Sequence, residues 1–272
     1  MANLGEKVYV DLMARGKSID TARNWRSLTN KFEACCGSKS KYDRDDVIRY
    51  LSWLREQGYR QSSIEVMIRP VKLLAQIQGW SYPRLAMPKV RDSDISRPMF
   101  SYEEVCQMIR RGKEVLTIRE LAYMALSTTY GMRREELGSL GGIDGTVTVN
   151  TVKGGPVTTH LVPDEIKPYV FGYKRSEVRY MSRIFKGIIG KLGMVLPQGN
   201  YGWHAIRRAL ATELVSRDVG LLNVIRFMRW SDASLGGGLG MLAIYAKRNQ
   251  AETDKSIFEV HPFLPIWSER GD

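Results

Sequence analysis

The sequence predicts a mainly α-helical protein in two parts: a small helical bundle, then a larger helical domain carrying one small antiparallel β-sheet. Three observations predict this. Apolar residues recur at helical spacing through most of the 272 residues. That pattern breaks over Ser81–Pro98, SYPRLAMPKVRDSDISRP, where prolines and charges without a sustained period mark a linker. Only one run, TVTVNTVKGGPVTTHLVP, alternates as strands do. The bundle is assigned to residues 1–83, the linker to 84–98 and the larger domain with its C-terminal tail to 99–272.

The bundle reads as four helices near 4–14, 20–34, 44–57 and 62–78. Val47, Tyr50, Leu51 and Leu54 line the core side of the third, and Ile64, Met67, Val71 and Leu74 that of the fourth. Asp43 caps the third; Ser62 or Ser63 is expected to cap the fourth, and Pro70 to kink or break it. Beyond the linker, Ser101 and Glu104 form an S-x-x-E capping box ahead of Val105, Met108 and Ile109. A helix over about 115–129 ends at Tyr130–Gly131, and Met132–Leu137 begins the next. Lys153–Gly154–Gly155–Pro156 is the turn between the two Val/Thr strands. Helices follow near 176–192 and over Gly202–Arg217, and Leu221–Met228 suggests another ending at Arg229–Trp230. Ser234–Gly240, SLGGGLG, reads as flexible and Met241–Ala246 as a short helix. The tail, Phe263–Leu264–Pro265–Ile266–Trp267, is apolar and packs either on its own domain or on a neighbouring subunit.

Composition narrows the function classes. The net charge is +12, and residues 1–90 carry +7 of it (16 Lys/Arg against 9 Asp/Glu), leaving +5 for residues 91–272. A charge spread over both halves suits a chain lying along a polyanion. Three cysteines cannot make a disulfide framework, so reduced thiols and a cytoplasmic setting are expected. The scattered histidines His160, His204 and His261 show no zinc-ligand spacing, and no phosphate loop is present, so neither metal nor cofactor is expected. No apolar stretch has the length of a membrane span.

Several candidate residues are weak alone. On the 202–217 helix, Ile206, Leu210 and Leu214 form the core stripe, while His204 and Arg207 share another face with Arg208 close by. Glu136, three residues past Arg133, is placed to hold that guanidinium. Lys153 sits at the hairpin tip, Trp230 ends a helix, and Tyr245 precedes Lys247 and Arg248.

Taken in order, these residues resemble the tyrosine recombinase (phage integrase) family over nearly the whole chain. TYGMRREEL, with Arg133 and Glu136, is similar to the first arginine motif, and TVKGGPVTTHLVP to the lysine hairpin. His204-Ala205-Ile206-Arg207-Arg208 is similar to the H-x-L-R-H box. Arg229-Trp230 falls where the family has Gly-His, and Tyr245 in IYAK falls where it has its nucleophile. The resemblance implies a helical, SAM-like core-binding domain ahead of a catalytic domain. It also implies transesterification, in which Tyr245 attacks a phosphodiester and Arg133 and Arg207 clamp its nonbridging oxygens. Lys153 protonates the leaving 5′-oxygen, His204 acts as acid/base, and Trp230 donates or packs. Glu136 and Arg208 are supporting residues. A covalent 3′-phosphotyrosine and a Holliday-junction pathway of integration, excision or resolution follow. Implied partners are double-stranded DNA, further copies of the chain in a tetramer on two sites, and an accessory directionality protein. The implied setting is a nucleoid-associated, mobile-element one.

The sequence departs from the family pattern at three places. Arg208 stands where a second histidine is common, Trp230 where histidine is, and the fifteen-residue interval from Trp230 to Tyr245 is longer than usual. Whether Tyr245 acts in cis or in trans is left open. Two other readings are a non-catalytic DNA-binding protein on this fold and a type IB topoisomerase-like activity.

Overall fold

The computed structural model describes residues 3–89, 97–141, 143–151, 157–197, 199–230 and 249–269. The chain divides into two compact units, residues 1–96 and 97–272.

The first unit holds α1 (Leu4–Ala14), α2 (Ile19–Cys36), α3 (Arg44–Glu56) and α4 (Gln61–Gln78). The periodic apolar residues face inward: Val8, Phe32, Val47, Tyr50, Leu54, Val71 and Leu74 are fully buried. Asp43 caps α3 as expected, with Asp46 completing a reciprocal capping box. The cap expected for α4 fails, its N-cap being Arg60, without a side-chain cap, rather than Ser62 or Ser63; at Pro70 the helix is not broken and continues to Gln78. Proline removes one N–H from the ladder, and the buried stripe of Ile64, Met67, Ile68, Val71 and Leu74 outweighs that loss.

The second unit comprises α5 (Tyr102–Val115), α6 (Ile118–Tyr130), α7 (Arg134–Gly138), β1 (Thr146–Val149), β2 (Thr158–Leu161), α8 (Lys167–Val170), α9 (Val178–Lys191), α10 (Trp203–Ser216), α11 (Leu221–Phe227), α12 (Gln250–Phe258) and α13 (Leu264–Ser268). Ser101 and Glu104 form the anticipated box on α5. The next helix starts later than expected, at Ile118, because Thr117 and Glu120 make a second box. Buried on all sides through its last ten residues, α6 is the central helix of the unit. The antiparallel pair β1–β2 sets Val147 opposite His160 and Thr148 opposite Thr159, with Val147, Val149 and His160 turned inward.

The apolar tail packs on its own domain. Phe263, Leu264, Ile266 and Trp267 belong to the same core as α5, α6 and α10. Lys113 Nζ donates to the carbonyls of Ile266, Trp267 and Glu269 at 2.7–3.0 Å, satisfying the C-terminal end of α13. The Trp267 indole N–H reaches Thr128 Oγ1 at 3.0 Å.

Candidate active site

The site is built where α6 ends. Gly131 closes that helix in the left-handed region at φ 56°, and a Cβ there would stand 2.6 Å from the Met228 methyl, so both conformation and space call for glycine. The turn buries Met132 and delivers Arg133 to the start of α7. One turn on, Glu136 folds back: Oε2 accepts the Arg133 backbone N–H at 2.8 Å and Oε1 accepts the Arg133 guanidinium at 2.7 Å. The Arg133 side chain stays 25% exposed and Glu136 is fully buried, so the carboxylate steers a charge that still reaches solvent. The two therefore pair as the sequence predicts.

Burial works against the Glu136 charge. Arg229, the Arg133 N–H and Arg207 overcome it and hold the carboxyl below the usual range. Arg229, read from sequence only as a stand-in for a glycine, is the unexpected member. It is 1% exposed, adopts φ 53°, and donates to Glu136 Oε2, the Tyr130 and Phe227 carbonyls and His160 Nε2, all at 3.0–3.1 Å. Its own carbonyl faces the Arg133 guanidinium at 3.4–3.5 Å.

α10 supplies the other predicted pair, but not on one face. Ile206, Leu210 and Leu214 are buried, as their spacing requires. His204 is exposed. Arg207, three residues on, is 2% exposed and donates to the Gly131 and Met228 carbonyls. The reason is the angular step: three residues advance a helix by about 300°, leaving His204 and Arg207 about 60° apart, enough to divide solvent from core. Burial and the charges of Arg229 and Arg133 push the Arg207 guanidinium well below its usual range, against the pull of Glu136. Partial desolvation, then Arg208, Arg207 and Arg133, lower His204, with Glu135 opposing. These surroundings favour the neutral imidazole over the imidazolium. Arg208 donates to the Pro98 carbonyl at 3.0 Å. Trp230 is half-buried against the core.

Arg133 and His204 line one cleft of about 350 Å³, together with Arg134, Glu135, Lys186 and Tyr201. Its cationic side chains outnumber the acidic ones, and Arg207 and Arg229 lie in the protein behind Arg133. The cluster of Arg133, Arg207 and Arg229 faces the carboxylates of Glu136 and Asp254, leaving positive charge unmatched among the described residues. Such a place favours an anion. A larger cleft of about 950 Å³, lined by Arg110, Lys113, Asp164, Trp267 and Glu269, lies beside α13 and contains none of the predicted site residues. Lys153 and Tyr245, and with them the glycine-rich interval, lie outside the described residues. Among the described residues no group of His, Cys, Asp and Glu is placed to hold a metal ion, and no helix is long and apolar enough to cross a membrane.

Sequence reasoning missed Arg229, His160 and Asp254. His160 and Asp254 are 94 positions apart, and no local pattern marks either as polar and buried. The one available signal was that a bulky arginine occupied a position where the resembled family has glycine.

The mainly helical architecture with its small antiparallel sheet is that of the tyrosine recombinase fold. No family model matches the chain, and a search of curated proteins finds no match. Solved structures sharing the fold include lambda integrase bound to DNA, at TM-score 0.65 and 14% identity over 90% of this chain and 96% of that one. A lambda integrase tetramer bound to a Holliday junction matches at 0.61 and 14%, over 83% and 75%. The integrase of the transposon Tn1549, in complex with transposon right end DNA, matches at 0.60 and 14%, over 95% and 99%.

Proposed function

We propose that this chain is a site-specific DNA recombinase that cuts and rejoins duplex DNA through a tyrosine–phosphate intermediate. The observation that carries the reading is the Arg133–Glu136 pair opening on a cleft that His204 also lines, backed by buried Arg207, whose guanidinium meets the Gly131 and Met228 carbonyls rather than a carboxylate. The DNA-bound state of several structures sharing the fold supports it.

In this reading Tyr245 Oη attacks the scissile phosphorus and gives its proton to His204. The P–O5′ bond breaks as Lys153 protonates the departing 5′-oxygen. Arg133 and Arg207 stabilise the charge gathering on the nonbridging oxygens, with the Trp230 N–H as a further donor. Arg207 reaches the phosphate only when its contacts to the Gly131 and Met228 carbonyls open, so DNA binding includes a local rearrangement of the α6 and α11 ends. The 3′-phosphotyrosine conserves the ester for attack by a second strand's 5′-hydroxyl. Residues 1–83 act as the core-binding domain, 84–98 as a linker and 99–272 as the catalytic domain. Two duplex sites are held by a tetramer, with a directionality protein choosing among integration, excision and resolution in a cytoplasmic, nucleoid-associated, mobile-element setting.

The test uses the full chain and a nicked suicide duplex made from the inverted repeats flanking its gene. Wild type is expected to form a covalent protein–DNA adduct and Tyr245→Phe none. An adduct retained by the variant refutes the nucleophile. DNA binding without any adduct indicates a non-catalytic binder, and relaxation of supercoiled plasmid by a monomer indicates a topoisomerase-like enzyme.

A further inference from the structure

A buried hydrogen-bonded chain runs from Arg133 away from the cleft, and the proposed reaction uses none of its far members. Arg133 is oriented by two acceptors, the Glu136 carboxylate and the Arg229 carbonyl, and Arg229 fixes both. Arg229 in turn leans on His160. Arginine has only donors, so His160 Nε2 must be the acceptor in their 3.1 Å contact and the ring proton must sit on Nδ1. Nδ1 then donates to Asp254 Oδ1 at 2.9 Å. Gln250 also donates to Oδ1, at 2.9 Å, while the Leu161 backbone N–H donates to Oδ2 at 2.8 Å. Glu136, His160 and Asp254 are 0% exposed and Arg229 1%.

We propose that Arg229, His160 and Asp254 are positioning residues that set the angle of the Arg133 guanidinium at the cleft. The proposal rests on the reading of Arg133 as a phosphate clamp. Two features favour it over a merely structural network. Arg229 occupies a left-handed backbone position that glycine would fill without strain, so the strain is tolerated for a side chain that reaches Glu136 and His160. Apolar packing would also fill the same volume without burying four ionisable groups. The chain joins three separately encoded elements: β2 through His160, α12 through Asp254, and the end of α11 through Arg229. Arg133 can therefore take its working orientation only when all three are seated.

Asp254→Asn is the most direct perturbation. The amide has one oxygen where the carboxylate has two, so it cannot accept from both His160 and Leu161. An amide N–H facing Nδ1 would move the ring proton to Nε2, against Arg229. With the nicked duplex, the adduct-forming rate at saturating DNA is expected to fall about tenfold or more, while duplex affinity stays nearly unchanged. His160→Gln, which keeps an acceptor toward Arg229, should retain more of this rate than His160→Asn, which keeps only the donor toward Asp254. A purely structural role would lower thermal stability but leave the saturating rate of the folded protein at the wild-type value, and that result overturns the proposal. Nitrogen-15 NMR gives a readout independent of catalysis and, for wild type, of any variant's folding. His160 should be the Nδ1–H tautomer, and the Arg133 Nε–H resonance should move in Asp254→Asn. An Nε2–H tautomer, or an unmoved Arg133 signal in folded Asp254→Asn, sinks the proposal. If wild type forms no adduct while its His160 is the Nδ1–H tautomer and the Arg133 signal moves in Asp254→Asn, the recombinase reading alone is refuted.

Discussion

Replacing Glu136 with glutamine tests the centre of the site with a change of one atom. The two carboxylate oxygens take the Arg133 N–H, the Arg133 guanidinium and the Arg229 guanidinium at 2.7–3.0 Å, in a place with no solvent access. Glutamine keeps one oxygen and turns the other into an NH₂ that meets an arginine donor. It also removes the carboxylate nearest the buried Arg229. Breaking a buried pair from one side costs about 3–5 kcal/mol. For a unit of this size, 1 kcal/mol lowers the melting temperature by about 2–4 °C, so the expected drop is about 6–20 °C. Calorimetry of the full chain measures it, with hydrogen exchange identifying the transition of residues 97–272. The pH dependence adds a second check. The folded pKa of Glu136 is depressed, so its contribution is fully present above the ordinary value of 4.5 and is lost as pH falls below it through the folded value. The variant should therefore lose less stability than wild type on acidification below pH 4.5. A melting temperature within 2 °C of wild type, with an unchanged acid limb, would refute the buried-pair reasoning.

Two further perturbations probe the frame around the site. His261 is buried with Nδ1 accepting the Phe263 and Leu264 N–H groups and its pKa pushed down to about 4 by burial. Between pH 6.5 and 4 the unfolded chain takes up a proton that the folded one refuses, so stability falls as pH falls, by up to about 3 kcal/mol. His261→Asn should flatten that part of the stability–pH curve, and an unchanged slope would contradict it. Lys113→Met leaves three carbonyls at the end of α13 without their donor. It is expected to cost about 1–3 kcal/mol and to speed amide exchange over residues 264–268. Unchanged exchange there would show that the tail does not depend on Lys113.

The helices were legible because their signals are local. The Asp43 and Ser101 caps, the α10 stripe of Ile206, Leu210 and Leu214, and the Gly131 stop each lie within a few residues of what they determine. α4 was misjudged at its start, and it continues through Pro70, because burial against α1 and α2 outweighs a cap and one missing hydrogen bond. The pairing of Arg133 with Glu136 was also legible, since a glutamate three residues past an N-cap folds back onto the cap residue's backbone N–H.

What only the tertiary structure decided is how charge is shared among distant elements. The sequence placed His204 and Arg207 together, but the packing of α10 against the ends of α6 and α11 exposes the first and buries the second among carbonyls. It also turned Arg208 toward Pro98 and the apolar tail into its own core. Arg229, His160 and Asp254 carry no local signature as a group. Each reads as an ordinary polar residue until folding removes water from all three, and a buried charge must then be met by whatever partner the chain brings within 3 Å. Order along the chain carries a family resemblance and names candidate reacting groups, whereas the desolvated network around Arg133 exists only once β2, α11 and α12 have packed around it.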